Sequence, residues 1–224
     1  ICTAIDRERT KQNKMKKHFN LLMVCLIAAV VLSSCRTRTT KSAIKNAEVL
    51  KSNLDSFDKN RMKLSANLVE SLEEAGEALQ SENPDIPEVS KDFEKEWRSI
   101  MNRYDKLKKN FGDIGDSSQA YFDELNSLSS SINNTELRQS ELAANKELQV
   151  KWDKTYQEAD IAINKVTKVL EDGNDFHMVL VASSIRQKLE QNVQDLKNMS
   201  EQAKVLLADL KVFSEKGREI VEQG

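Results

Sequence analysis

The stretch FEKEWRSIMNRYDKLKKNFGDI, residues 93–114, decides the fold. Its apolar residues Phe93, Trp97, Ile100, Tyr104, Leu107, Phe111 and Ile114 recur at alternating steps of four and three, and nearly everything between them is charged or polar. An apolar stripe with a mean spacing of 3.5 residues belongs to helices packed side by side at small crossing angles. Beyond Ser118 the stripe resumes at Tyr121, Leu125, Leu128 and Ile132, which predicts one helix over 88–132. Gly112 and Gly115 fall inside it. Each costs about 1 kcal/mol relative to Ala in a helix interior, so a kink or local break is expected there.

Three similar stripes flank this one. The first runs through Ala47, Leu50, Leu54, Phe57, Leu64, Leu68, Ala75 and Leu79, giving a helix over about 40–81. Ser81-Glu82-Asn83-Pro84-Asp85-Ile86-Pro87 joins it to the next helix and holds both prolines of the chain; Pro87 suits a helix start, where its missing N–H would be unpaired anyway. Thr135 is the N-cap expected for a third stripe, from Leu137 through Leu148, Trp152, Tyr156, Ala159, Ile163, Val166 and Leu170. That stripe is expected to stop at Asp172-Gly173-Asn174-Asp175, with Gly173 as a left-handed C-terminal cap and Asn174 or Asp175 capping the next start. A fourth runs through Val179, Ala182, Leu189, Val193, Leu196, Ala203, Leu207, Leu210, Phe213 and Val221. Short joins make successive helices antiparallel. The predicted fold is therefore all-α, an elongated up-down-up-down bundle of four coiled-coil-like helices over residues 42–224.

Composition agrees, with 31% charged residues, 5% aromatic, six glycines and two prolines. The net charge is −2, and without residues 1–34 it falls to about −6. Phosphate contacts need clustered Lys and Arg, so no nucleic-acid partner is expected.

Ahead of the bundle, Met15 opens MKKHFNLLMVCLIAAVVLSSC. Lys16, Lys17 and His18 precede an apolar run from Leu21 to Leu32, the layout of a secretory signal over residues 15–34. The run is twelve residues, short of the roughly 20 that span a hydrocarbon core. It carries no polar residue at helical spacing, as a buried core helix would. Residues 1–14 fit no signal design and read as an upstream extension. All three cysteines, Cys2, Cys25 and Cys35, lie at or before the end of this segment, so none remains for a disulfide or a thiol nucleophile in the bundle.

Leu32-Ser33-Ser34-Cys35 resembles the lipobox of bacterial lipoproteins, an aliphatic residue three places before a cysteine with small residues between. The resemblance implies cleavage before Cys35, lipidation of its sulfur, and membrane attachment through that anchor. Several acyl chains on one residue hold a protein durably, whereas a single myristoyl chain binds weakly and reversibly. Arg36-Thr37-Arg38-Thr39-Thr40-Lys41 then reads as a polar tether closing the 35–41 anchor segment. By analogy with lipoprotein sorting, the lack of aspartate after the cysteine implies the outer membrane, facing the periplasm. Tyr121-Phe122-Asp123-Glu124-Leu125, Leu137-Arg138-Gln139-Ser140-Glu141 and the long last helix also resemble an uncharacterised family of helical lipoproteins of Gram-negative bacteria. That likeness covers about half of the chain beyond Cys35, does not extend to the first helix, and implies architecture and location but no activity.

Catalytic patterns are missing from the sequence. A di-metal carboxylate bundle needs Glu-x-x-His pairs, and the chain has none. His177 is the single histidine beyond Cys35 and is expected at the surface, not as a metal ligand. There is no Gly-x-Ser-x-Gly elbow and no clustered glycines to cradle phosphate. Glu73-Glu74 reads as a solvated face, and Trp97, Trp152 and Tyr156 as core. Arg138 and Glu141 read as a surface i,i+3 ion pair, the alternative being a buried arginine holding two helices in register against a neighbour's carboxylate. The expectation is a non-enzymatic, lipid-anchored envelope protein without catalytic residues, metal or cofactor, working through a protein partner or self-association. The alternative is a bundle that opens near Gly112 and Gly115 to hold a small apolar molecule or metal complex, with unknown ligand residues.

Overall fold

The computed structural model describes residues 41–182 and 192–224. The leader over 15–34, Cys35, the tether up to Thr40 and Leu189 of the fourth stripe lie outside the described residues. The chain divides into two units, Ile1–Lys45 and Asn46–Gly224. The second is an antiparallel four-helix bundle built from the part of α1 (Cys2–Leu79) that begins at Asn46, with α2 (Ile86–Ser130), α3 (Thr135–Arg186) and α4 (Glu190–Gln223). Lys41, expected as the last tether residue, is already helical. Among the described residues there is no strand.

Bonds between side chains and neighbouring helices establish the antiparallel order. From α1 to α2, Asn46 donates to the Ala120 carbonyl and Asn53 to those of Asp113 and the Ser117 hydroxyl, so numbers rise on one helix as they fall on the other. From α2 to α3, Trp97 reaches Leu170, Tyr104 reaches Ile163, and Tyr156 reaches back to Phe111. Between α1 and α4, Lys51 pairs with Glu222 and Arg218 with Asp55. The turn between α1 and α2 thus lies at the end of the bundle opposite Asn46. A 45-residue α2 makes the bundle about 68 Å long.

The four stripes form one core. Leu50, Leu54, Phe57, Leu64, Leu68 and Leu72 of α1 are buried, as are Phe93 through Ile114 of the quoted stripe and Leu196, Leu207, Leu210 and Phe213 of α4. Leu137, expected to open the third stripe, is exposed, and so is Val179 of the fourth.

Helix ends follow local chemistry. Asp85 caps α2, its carboxylate accepting from the Glu88 N–H at 3.1 Å, with Pro87 in the first turn. For α3 the cap is Asn134, not Thr135: its side-chain oxygen accepts from the Leu137 N–H at 3.0 Å, and Thr135 is already helical.

The expected break at 172–175 does not occur. The α3 helix continues to Arg186 because Phe176 and Leu180 carry its apolar stripe onward into the core. Gly173 lies in this helix without the positive φ of a left-handed cap. Its missing side chain leaves room for an indole, since a Cβ there would stand 1.9 Å from Trp97 Cζ2. The α2 helix likewise runs unbroken through Gly112 and Gly115. A Cβ on Gly115 would meet the Tyr156 hydroxyl at 2.7 Å, whereas Gly112 faces open space.

Candidate functional site

Of the three aromatic residues expected as core, Trp97 and Trp152 are interior and Tyr156 is partly buried against the core. Trp97 is 4% exposed and Trp152 2%. Trp97 stacks on Phe93 at 5.0 Å and donates its indole N–H to the Leu170 carbonyl at 3.3 Å, which answers the need of a buried indole for an acceptor. Tyr156 stacks flat on Phe111, with ring centroids 4.3 Å apart, and donates to that residue's carbonyl. Trp152 sits within reach of Phe122 and Phe213.

Three tyrosine hydroxyls cross between helices in the same way. Tyr104 bonds the Ile163 carbonyl at 3.1 Å and the Thr167 hydroxyl, Tyr156 bonds Phe111 at 3.2 Å, and Tyr121 bonds Val221 at 3.4 Å. Burial raises all three above the ordinary phenol value; for Tyr104 the Thr167 bond opposes that rise without reversing it. A phenol held neutral in the folded state contributes stability that is present below about pH 10 and lost as pH rises through its raised folded value. Chemically these groups are neutral pins between helices.

The buried ionic group lies on the α1 stripe, at Arg61. Arg61 is 7% exposed, pairs with Asp58 at 2.8 Å, and donates through Nη1 to the Leu207 carbonyl of α4 at 3.3 Å. Arg218 of α4 meets the same Asp58 at 3.5 Å and Asp55 at 2.9 Å, and the Ser214 hydroxyl lies 3.4 Å from Asp58. A buried arginine joining two helices is thus found at Arg61 and not at Arg138, with the difference that its carboxylate, Asp58, lies on its own helix and the neighbouring helix supplies a carbonyl. Its signal was present: Arg61 occupies the stripe position between Phe57 and Leu64. Arg138 instead donates to the Ile132 carbonyl at 3.2 Å, closing the turn before α3, and does not pair with Glu141.

His177 is half-buried on α3. Among the described residues no group of three or more His, Cys, Asp and Glu side chains converges to hold a metal ion. Nor is any helix among them long and apolar enough to cross a membrane.

The concavities are grooves between neighbouring helices. One of about 590 Å³ lies between α3 and α4, with Val169, Val205 and Leu206 on its floor and Lys165, Lys168 and Glu201 at its rim; Val205 is 61% exposed there. Another, of about 260 Å³, lies between α1 and α2 near their turn and is lined by Ser71, Glu74, Glu88, Asp92 and Glu96 around Ala75, Val89 and Phe93. Glu73, expected as part of a solvated face, bonds Lys204 of α4 at 2.8 Å. Its neighbour Glu74 lines the α1–α2 groove. No protein-family model, no curated protein and no solved structure matches the chain.

Proposed function

We propose that this is a non-enzymatic, lipid-anchored protein of the cell envelope whose helical rod acts as a structural or protein-interaction module. The observation that carries this reading is Leu32-Ser33-Ser34-Cys35 directly after a twelve-residue apolar run opened by Lys16-Lys17. The bundle behind it supports the reading. Its interior is occupied by its own Leu, Phe, Trp and Tyr side chains, and the tips of Trp97, Tyr104, Tyr121 and Tyr156 are spent on backbone carbonyls of neighbouring helices. Surface charge and grooves are then what the rod offers to other molecules. The likeness to helical lipoproteins of Gram-negative bacteria, and attachment at the outer membrane facing the periplasm, belong to the same proposal.

Connectivity adds a direction. An anchor at Cys35 precedes the bundle at the Asn46 end, and the α1–α2 turn stands about 50 Å further along the helix axis.

Replacing the anchor tests it. With Cys35→Ala, acyl label is expected to disappear from the protein and the chain to leave the membrane fraction, because thioether acylation is the strong anchor in this reading. Retention of the variant in the membrane pellet at the wild-type level would overturn the proposal.

The α3–α4 groove favours a second reading, a small apolar ligand lying on Val169, Val205 and Leu206. Such a ligand would raise the melting temperature by mass action in a panel of small apolar molecules.

A further inference from the structure

The chain as a whole carries a net charge of −2, yet residues 70–96 hold ten acidic residues against two basic ones. This excess of negative charge sits at one place in the fold, the last turns of α1, the turn, and the first turns of α2, at the end of the bundle opposite Asn46. Within it lies the 260 Å³ groove, whose charged lining residues, Glu74, Glu88, Asp92 and Glu96, are all carboxylates. None of the four forms an ion pair with any described residue, whereas nearby Glu73 is neutralised by Lys204 and Glu94 by Arg98. Lys91 and Lys95 belong to the same stretch but do not line the groove.

The spacing of these groups selects the kind of cation. Glu88, Asp92 and Glu96 follow one another at every fourth position of α2, so their backbone positions rise by about 6 Å each. They are strung along the groove, and no group of three converges as a metal ion requires. Between them the floor is apolar, formed by Ala75, Val89 and Phe93. Ser71, 5% exposed, also lines the groove, and its hydroxyl has no hydrogen-bond partner. A buried hydroxyl without a partner is costly unless something completes it. The groove therefore matches a row of aliphatic stems with cationic heads, the stems on Phe93 and Val89 and the heads on the carboxylates, with one donor left for Ser71.

We propose that this groove is the docking site for a lysine-bearing helix of a partner protein, with lysines repeated at every third or fourth residue along one face. The proposal rests on the interaction-module reading and names the partner's chemistry. The α2 row at four-residue steps and the partner's row at the same rise along its axis keep ammonium and carboxylate in step over two to three turns.

The test uses the full-length chain in detergent and an acetylated, amidated Ala/Leu helix bearing four lysines on one face. Calorimetry gives affinity, and Trp97 fluorescence, read in a Trp152→Phe background, gives location, because Phe93 of the groove floor stacks on that indole. The wild type should bind with a 1:1 ratio and perturb the emission, and binding should weaken with added salt. Joint replacement Glu74→Gln, Asp92→Asn and Glu96→Gln should weaken binding at least tenfold. A charge-matched control at the other end, Glu136→Gln, Glu141→Gln and Asp153→Asn, should leave it within twofold. Circular dichroism melts of both triple variants establish that each is folded, and Ser71→Ala gives a milder second probe, expected to lower affinity severalfold.

Equal losses in the two triple variants would overturn the proposal in favour of bulk charge attraction. So would equal binding of a peptide of the same composition with its lysines scattered around the helix. Spermidine binding as tightly as the peptide, at the same site, would reassign the groove to a free polyamine. No measurable binding by the wild type would end the proposal, and none of these outcomes bears on the fate of the Cys35→Ala protein in fractionation.

Discussion

The two ends of the bundle are held together differently. In the half that contains Trp152, every helix contributes an aromatic ring to one network. Phe57 of α1 touches Phe111 of α2 at 6.0 Å and Phe213 of α4 at 5.5 Å, while Tyr156 of α3 stacks on Phe111. In the half that contains the acidic turn, the rings that pair with one another among the described residues are Phe93, Trp97 and Phe176, which come from α2 and α3. The residues that α1 and α4 contribute to the core in that half include Ala75, Met199 and Ala203, and the buried Ser71 and Ser200 hydroxyls lack partners. A ring from each helix fixes the register of all four against one another; three rings on two helices fix one pair. The acidic half is thus expected to be the less stable of the two, a suitable property for a surface that accommodates a partner.

The largest expected effect tests that contrast directly. Both tryptophans are core, so each replacement by Ala opens a cavity and costs in the range of about 3–5 kcal/mol. Trp152→Ala should fall at the top of the range because its cavity interrupts the four-helix network, and Trp97→Ala near the bottom because the acidic half can open locally. Urea melts of the single variants, read with amide exchange of the α1–α2 turn, decide it. Equal losses and uniform exchange would show one evenly stabilised rod. A loss below about 1 kcal/mol at both positions would mean that neither indole is interior in solution.

Next in size is the ionic joint between α1 and α4. Arg61→Met keeps the stem's volume but removes the donor to the Leu207 carbonyl and the partner of Asp58 at 2.8 Å. Asp58 retains Arg218 and partial exposure, so the loss should be about 2 kcal/mol, within the range for bonds to charged groups. Arg138→Met removes one bond to a turn carbonyl and should cost about 1 kcal/mol or less. Equal effects at the two sites in thermal melts would deny Arg61 its special place.

The fold was legible because helix packing writes a period into the chain. The stripe from Phe93 to Ile114 is buried residue for residue, and the first stripe likewise from Leu50 to Leu79. What misled was punctuation. Asp172-Gly173-Asn174-Asp175 has every local mark of a helix end, yet burial of Phe176 and Leu180 outweighs the poor helix propensity of four residues, and Lys168 pairs with Asp172 one turn along. Arg61 carries little signal in the sequence because a charged residue on an apolar stripe looks like a gap, and the α4 carbonyl it bonds, that of Leu207, lies about 150 positions away. Of the candidate site, the carboxylates of 70–96 could be counted from the sequence. That Glu74 shares a groove with Glu88, Asp92 and Glu96, over a hydroxyl with no partner, needed the pairing of α1 with α2.

The smallest predicted effect separates two glycines, Gly112, expected inside a helix, and Gly173, expected as a cap at a helix end but found inside one. At Gly112 an added Cβ meets nothing within 4 Å, so Gly112→Ala should recover helix propensity alone and stabilise by about 0.5–1 kcal/mol. At Gly173 the same methyl would overlap the Trp97 ring at 1.9 Å, and that ring cannot retreat, being stacked on Phe93 and bonded to Leu170. Overpacking of about 1–3 kcal/mol then exceeds the propensity gain of about 1 kcal/mol, and Gly173→Ala should destabilise by about 1 kcal/mol net. Opposite shifts in melting temperature are the expected result. A rise for Gly173→Ala comparable to that for Gly112→Ala would show that Trp97 has room to move. The acidic half would then be looser than its three packed rings suggest, and the contrast between the two ends would be sharper than drawn from the packing alone.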